Sequence, residues 1–137
     1  MRSLLDTNLL VYADAADEPA KQRRALALIT ALRSDGSAVL STQVLQEYVN
    51  VALRKLRLPQ ALVRERIAFY RRFEMVTASA DLIAGALDLH LLHSLSFYDA
   101  LIVQAAVVSG CQRVLSEAMQ HAAVYGGVRI ENPFIGA

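Results

Sequence analysis

Cysteine is almost missing from this chain: Cys111 is the only one in 137 residues. A lone cysteine excludes an intramolecular disulfide and a cysteine-rich zinc site. Beside an apolar run, Cys111 is expected to be a small buried hydrophobe. Tryptophan is absent, and no apolar run approaches the roughly 20 residues that a membrane-spanning helix needs. The first residues run straight into a carboxylate and do not read as a signal peptide. The expected compartment is the cytoplasm, with no membrane partner. The glycines form no phosphate-cradling loop, and there is no Gly-x-Ser-x-Gly elbow and no Cys–His pair for nucleophilic catalysis. Histidine is sparse. His90 and His93 share a helix face at i and i+3, His121 falls in a late loop, and no third ligand accompanies them, which disfavours zinc. Lysine is scarcest among the charged residues: two, against twelve arginines.

Apolar sequence is what the chain has in quantity. Hydrophobic residues make up 55% and charged residues 20%. That suits one domain over residues 1–137, with a large core and apolar surface to spare for a partner. Net charge is +1, but it is unevenly spread. From Arg54 to Arg72 seven basic residues face Glu65 alone, whereas residues 73–99 hold Glu74, Asp81, Asp88 and Asp99 without a lysine or arginine. Arginine's planar donor fork suits phosphate oxygens. The basic stretch is either a solvated helix face or a polyanion-binding flank beside an acidic pocket.

Periodicity and punctuation give an order of elements. Arg2–Leu5 is a short buried strand ending at Asp6, and residues 7–13 start a helix. Pro19 opens a second helix to about Leu32, with Ala25, Leu28, Ile29 and Leu32 on its apolar face. Ala38–Leu40 is a strand, and Ser41 or Thr42 caps a helix reaching about Leu56. A fourth helix spans about Pro59–Phe73, and with its predecessor it has the length to project as an arm. Residues 74–77 are a short strand. Ser79 or Thr77 caps a fifth helix to about His93, and Ser96 caps a sixth that Gly110 ends. Cys111–Leu115 and Val128–Glu131 are strands, and residues 116–127 between them read as irregular or briefly helical. The order implies an α/β fold of three layers, α/β/α, around a mainly parallel sheet of about four to five short strands.

In such a sheet ligands bind at the carboxyl ends of the strands. Four acidic residues fall there. Asp6 follows the first strand, Glu47 lies two turns into the helix after the second, Asp99 is in the first turn of the sixth helix, and Glu117 follows Leu115. Each has an ordinary alternative. Asp6 suits an N-cap, Glu47 an exposed helix position, Asp99 a capping pair with Ser96, and Glu117 a loop. Together they form a ring of hard oxygen ligands suited to Mg²⁺ or Mn²⁺. Without a cation such carboxylates repel one another. With one, the pocket suits phosphodiester hydrolysis. A phosphohydrolase with Asp6 as covalent nucleophile is disfavoured, because Asn8 stands where a second Asp is usual in such enzymes.

The segments around these carboxylates resemble PIN-domain ribonucleases. Leu4-Leu5-Asp6-Thr7-Asn8-Leu9-Leu10-Val11-Tyr12 is similar to their opening, Gln43-Val44-Leu45-Gln46-Glu47-Tyr48 to their second acidic segment, and Leu95-Ser96-Phe97-Tyr98-Asp99-Ala100-Leu101-Ile102 to their third. The close, Leu115-Ser116-Glu117 with Val128–Phe134, also fits. The nearest branch is the VapC-type toxins of bacterial toxin–antitoxin pairs. The resemblance implies a Mg²⁺- or Mn²⁺-dependent endoribonuclease with Asp6, Glu47 and Asp99 as its acidic metal-binding core and Asn8 and Ser116 as supporting groups. It further implies a homodimer, a cognate antitoxin seated in an apolar groove, and a structured RNA substrate such as tRNA. Arg54, Lys55, Arg57, Arg64 and Arg66 are the candidates for RNA phosphate contacts. One departure stands out. The family's fourth acidic residue is expected where this chain has Ala118. Three readings stand side by side: Glu117 substitutes as an auxiliary ligand, three carboxylates suffice, or Ala118 is an engineered change that quenches activity. A rival to the enzyme is a PIN-fold module that binds RNA or a partner without catalysis.

Overall fold

The computed structural model describes residues 1–136. The elements are β1 (Ser3–Leu5), α1 (Thr7–Ala13), α2 (Pro19–Ser34), β2 (Ala38–Ser41), α3 (Thr42–Arg54), α4 (Gln60–Tyr70), β3 (Glu74–Val76), α5 (Ala80–His93), α6 (Phe97–Val108), β4 (Arg113–Leu115), β5 (Val124–Tyr125) and β6 (Val128–Glu131). The strands form one sheet in the order β3-β2-β1-β4-β6-β5. Every pairing is parallel except β5 with β6.

β1 lies inside the sheet, between β2 and β4. Ser3, Leu4 and Leu5 are all fully buried, so both faces of the strand are covered. Its register aligns Leu5 with Leu115 of β4 and Ser3 with Ala38 of β2. The next residues of β1 and β4, Asp6 and Ser116, therefore emerge side by side. α6 packs on the sheet and α5 packs on α6, while α1 packs on α2 and on α3. These are the outer layers of the α/β/α arrangement.

Local chemistry sets the helix starts. Ser41 Oγ accepts from Val44 N, Ser79 Oγ from Leu82 N, and Ser96 Oγ from Asp99 N, each at an N-cap. Pro19 begins α2. The apolar stripe of α3 buries Val44, Tyr48 and Ala52. α3 and α4 do not project as a free arm. Tyr48 and Tyr70 meet edge to face with ring centroids 5.6 Å apart, and Val63 is buried with them in the core. Tyr48 Oη donates to Asp14, whose carboxylate also takes a two-pronged bond from Arg66.

The segment 116–127 departs from expectation. It contains the two-residue strand β5, which turns through Gly126-Gly127 into β6 and gives the sheet a sixth strand. Two residues are too few to show alternation in the sequence. Cys111 is buried, and burial pushes its thiol pKa up, as suits a core residue. Among the described residues no single helix is long and apolar enough to cross a membrane. α5 and α6 reach that length only as a pair bent by 117°.

Candidate active site

Three of the four strand-edge carboxylates open into one cavity of about 330 Å³, lined by Asp6, Thr7, Asn8, Val11, Tyr12, Glu47, Val51, Lys55, Asp99, Ile102 and Ala118. A larger depression, about 470 Å³, lies between the start of α2 and Ile135, and among the described residues no carboxylate lines it.

Asp6 is placed by the end of β1. Its backbone N–H donates to Leu115 O at 3.0 Å, and its extended backbone starts α1. It caps that helix only through the adjacent Thr7 N–H, which donates to Oδ1 at 2.7 Å. Oδ2 accepts from Ser116 Oγ at 2.6 Å. Asp6 is only 4% exposed. Burial raises its pKa, the Ser116 and Thr7 bonds partly oppose the rise, and the negative charge of Asp99 adds to it.

Glu47 reaches the cavity from the second turn of α3. Thr7 Oγ1 and Gln43 Nε2 each donate to its Oε1 at 3.3 Å. These are long bonds and leave the carboxylate free to shift. Burial raises its pKa, and the charges of Asp6 and Asp99 push the same way. Asp99 enters from the first turn of α6, which Gln43 ties to α3 by donating to Tyr98 O at 3.2 Å.

Glu117 does not join them. Its carboxylate accepts from Tyr12 Oη and, at 2.8 Å, from Lys21 Nζ. Burial alone would raise its pKa, but these partners outweigh burial and hold it below the ordinary value. Glu117, expected as an auxiliary ligand, stands apart from the cavity lining, held by one donor on α1 and one on α2. Ala118 lines the cavity instead, with its N–H donating to Ser116 Oγ at 3.0 Å. Asn8 supports the same loop by accepting from Glu117 N at 3.2 Å.

Among the described residues no three His, Cys, Asp or Glu side chains form a ready-made metal cluster. The chemistry of the donors nonetheless fits a hard divalent cation. Oxygen donors from three elements line one cavity, burial first and their like charges second raise the pKa values of Asp6 and Glu47, and Glu47 is held only by long bonds. The histidines lie elsewhere: His90 pairs with Leu95 O, His93 packs on Tyr125, and His121 accepts from Asn132 N.

Sequence reasoning missed the roles of Thr7 and Gln43. Gln43 was findable, because i and i+4 residues share a helix face. It also missed the Lys21–Glu117 pair, which lies 96 residues apart in sequence. Arg66, expected to meet RNA, is committed to Asp14 at 2.9 Å.

Solved structures share this architecture. A toxin–antitoxin complex from Klebsiella pneumoniae matches with TM-score 0.70 and 23% identity over 96% of this chain and 98% of its own. VapBC2 from Rickettsia felis, bound to a DNA fragment from its promoter, matches with TM-score 0.69 and 18% identity over 96% and 98%. VapC20 from Mycobacterium tuberculosis, a toxin that cleaves the sarcin–ricin loop, matches with TM-score 0.60 and 18% identity over 82% and 86%. At these identities the likeness speaks for the fold. No curated protein matches the sequence. The profile of the PIN domain does match, over residues 3–123. Those residues include β1, the sheet edge and all three cavity carboxylates, so the chain belongs to the PIN domain family.

Proposed function

We propose that this chain is a divalent-cation-dependent endoribonuclease and the toxin of a toxin–antitoxin pair. The observation that carries the reading is the convergence of Asp6, Glu47 and Asp99 on one cavity at the strand edge. Asp6, Asp99 and Glu47 would hold Mg²⁺ or Mn²⁺. A divalent ion supplies charge neutralisation at a phosphodiester and lowers the pKa of water. The protein does the rest. Ser116 and the Thr7 N–H fix the two oxygens of Asp6, and Gln43 and Thr7 steer Glu47. Arg54, Arg57 and Arg64 are exposed and offer phosphate contacts. The named toxins among the structural relatives support an antitoxin partner. Exposed Leu87, Leu91 and Leu92 on α5 leave apolar surface for a second copy in a homodimer. tRNA or another structured RNA is the proposed substrate.

Ala118 supports a second reading, a binding module without catalysis, because it adds no carboxylate to the lining. Incubation of total RNA with the purified chain, with end-mapping of products, separates the two. The nuclease reading expects cleavage only with Mg²⁺ or Mn²⁺, and ends consistent with water attack: a terminal phosphate and a free hydroxyl. Cyclic phosphate ends or cleavage in EDTA contradict it. A module without catalysis binds Mn²⁺ poorly and cuts nothing even at high protein concentration.

A further inference from the structure

Lys55 lines the same cavity as the three carboxylates. Helical spacing puts it there. Glu47 and Val51 on α3 and Lys55, the residue that caps its C-terminus in a still helical conformation, stand at i, i+4 and i+8 and form one row. Lys55 lies about 12 Å further along the axis than Glu47, and helical side chains lean toward the N-terminus, which inclines Lys55 back toward the carboxylates. It is exposed, and among the described residues it forms no ion pair. The other lysine, Lys21, is held by Glu117, and Arg66 by Asp14. Lys55 is thus a cation of the cavity lining with no carboxylate partner.

Charge balance gives it a role. Ionised Asp6, Glu47 and Asp99 carry three negative charges, and Ala118 adds none. One divalent ion leaves one of these charges uncompensated, which then repels an incoming phosphate. A lysine ammonium offsets it. Two divalent ions with Lys55 would overcompensate a lining that lacks a fourth carboxylate. We infer that Lys55 is a substrate-phosphate ligand of this site, and that its ammonium lets the cavity operate with a single divalent ion. The inference rests on the proposed nuclease reading, whose metal-binding carboxylates it takes over. Lys55 holds a phosphate oxygen as a compact point charge; it neither gives nor takes a proton.

The test reads binding rather than turnover. A fluorescent single-stranded RNA is titrated in Ca²⁺ over a range of salt with the unaltered chain, Lys55→Gln, Lys55→Arg and Arg23→Gln. Arg23 is exposed on α2 and does not line the cavity. Mn²⁺ bound per chain is counted by electron paramagnetic resonance on the same proteins and on Asp6→Asn, and thermal melts confirm that each is folded. Lys55→Gln is expected to weaken RNA binding and to lower the salt slope by about 0.7, the value for one phosphate contact to a single strand. Lys55→Arg restores both, and Arg23→Gln changes neither. The unaltered chain and Lys55→Gln each bind one Mn²⁺. No RNA binding by the unaltered chain, an unchanged slope in Lys55→Gln, or two Mn²⁺ per chain overturns the inference. Mn²⁺ retained by Asp6→Asn strikes the metal-site reading itself. Mn²⁺ lost in Asp6→Asn with RNA binding intact in Lys55→Gln strikes the role of Lys55 alone.

Discussion

Ser116 Oγ lies 2.6 Å from Asp6 Oδ2 and donates to it, and both residues are buried. The contact follows from strand register, because each residue continues a strand whose last members, Leu5 and Leu115, are partners. The same hydroxyl accepts from Ala118 N–H, so one serine fixes both the carboxylate and the loop beside it. Ser116→Ala is expected to leave the fold intact and to weaken Mn²⁺ binding by about 10- to 100-fold, the usual cost of losing a hydrogen bond to a metal ligand. Calorimetric titration with Mn²⁺ checks this, and unchanged affinity contradicts it.

Asp6 and Glu47 give the metal-free chain a pH dependence of unusual sign. Their pKa values are raised in the folded state, chiefly by burial. In the window above the ordinary carboxylate pKa, the folded chain holds protons that the unfolded chain has released. Stability therefore falls as pH rises through that window. In EDTA, Asp6→Asn is expected to melt at a higher temperature than the unaltered chain at neutral pH. The gap should close as pH falls to the ordinary carboxylate range, and Mn²⁺ should narrow it by stabilising only the unaltered chain. Melting curves across pH decide the point; an Asp6→Asn chain that is less stable at neutral pH contradicts it.

Glu117 and Ala118 are neighbours with opposite expected effects. Glu117 is bound to Tyr12 and Lys21 outside the cavity, whereas Ala118 is in its lining. Glu117→Gln is expected to keep RNA cleavage within about threefold, since a partly exposed ion pair contributes little. Ala118→Asp places a carboxylate in the cavity and is expected to increase cleavage. Initial rates on one RNA at fixed Mg²⁺ compare the three proteins. A large loss in Glu117→Gln would return that residue to the metal site.

Tyr48 and Arg66 share Asp14, and the cluster joins α1 to α3 and α4. Tyr48→Phe removes one buried donor and is expected to cost about 1–2 kcal/mol of stability. Urea denaturation measures this. Arg66→Gln is expected to lower stability while leaving RNA affinity unchanged, the converse of Lys55→Gln.

Most of the architecture was legible in the sequence because its signals are local. Serines before apolar runs marked three helix starts, and Asp6 and Asp99 stand next to such signals, one ending a strand and one following a cap. That Glu47 would share their edge followed from the alternation of strands and helices. What stayed hidden depends on distant partners or very short elements. The donors that draw Glu117 away, Tyr12 and Lys21, are 105 and 96 residues from it in sequence. β5 is two residues long and is defined by its pairing with β6, and Arg66 was assigned to RNA because nothing local announces Asp14.

The joint role of Asp6, Glu47 and Asp99 is tested most directly by the rate at which purified Asp6→Asn and Asp99→Asn chains cleave RNA at saturating Mg²⁺, beside the unaltered chain. Loss of cleavage in both is predicted. Cleavage by either variant at the unaltered rate would contradict the assignment.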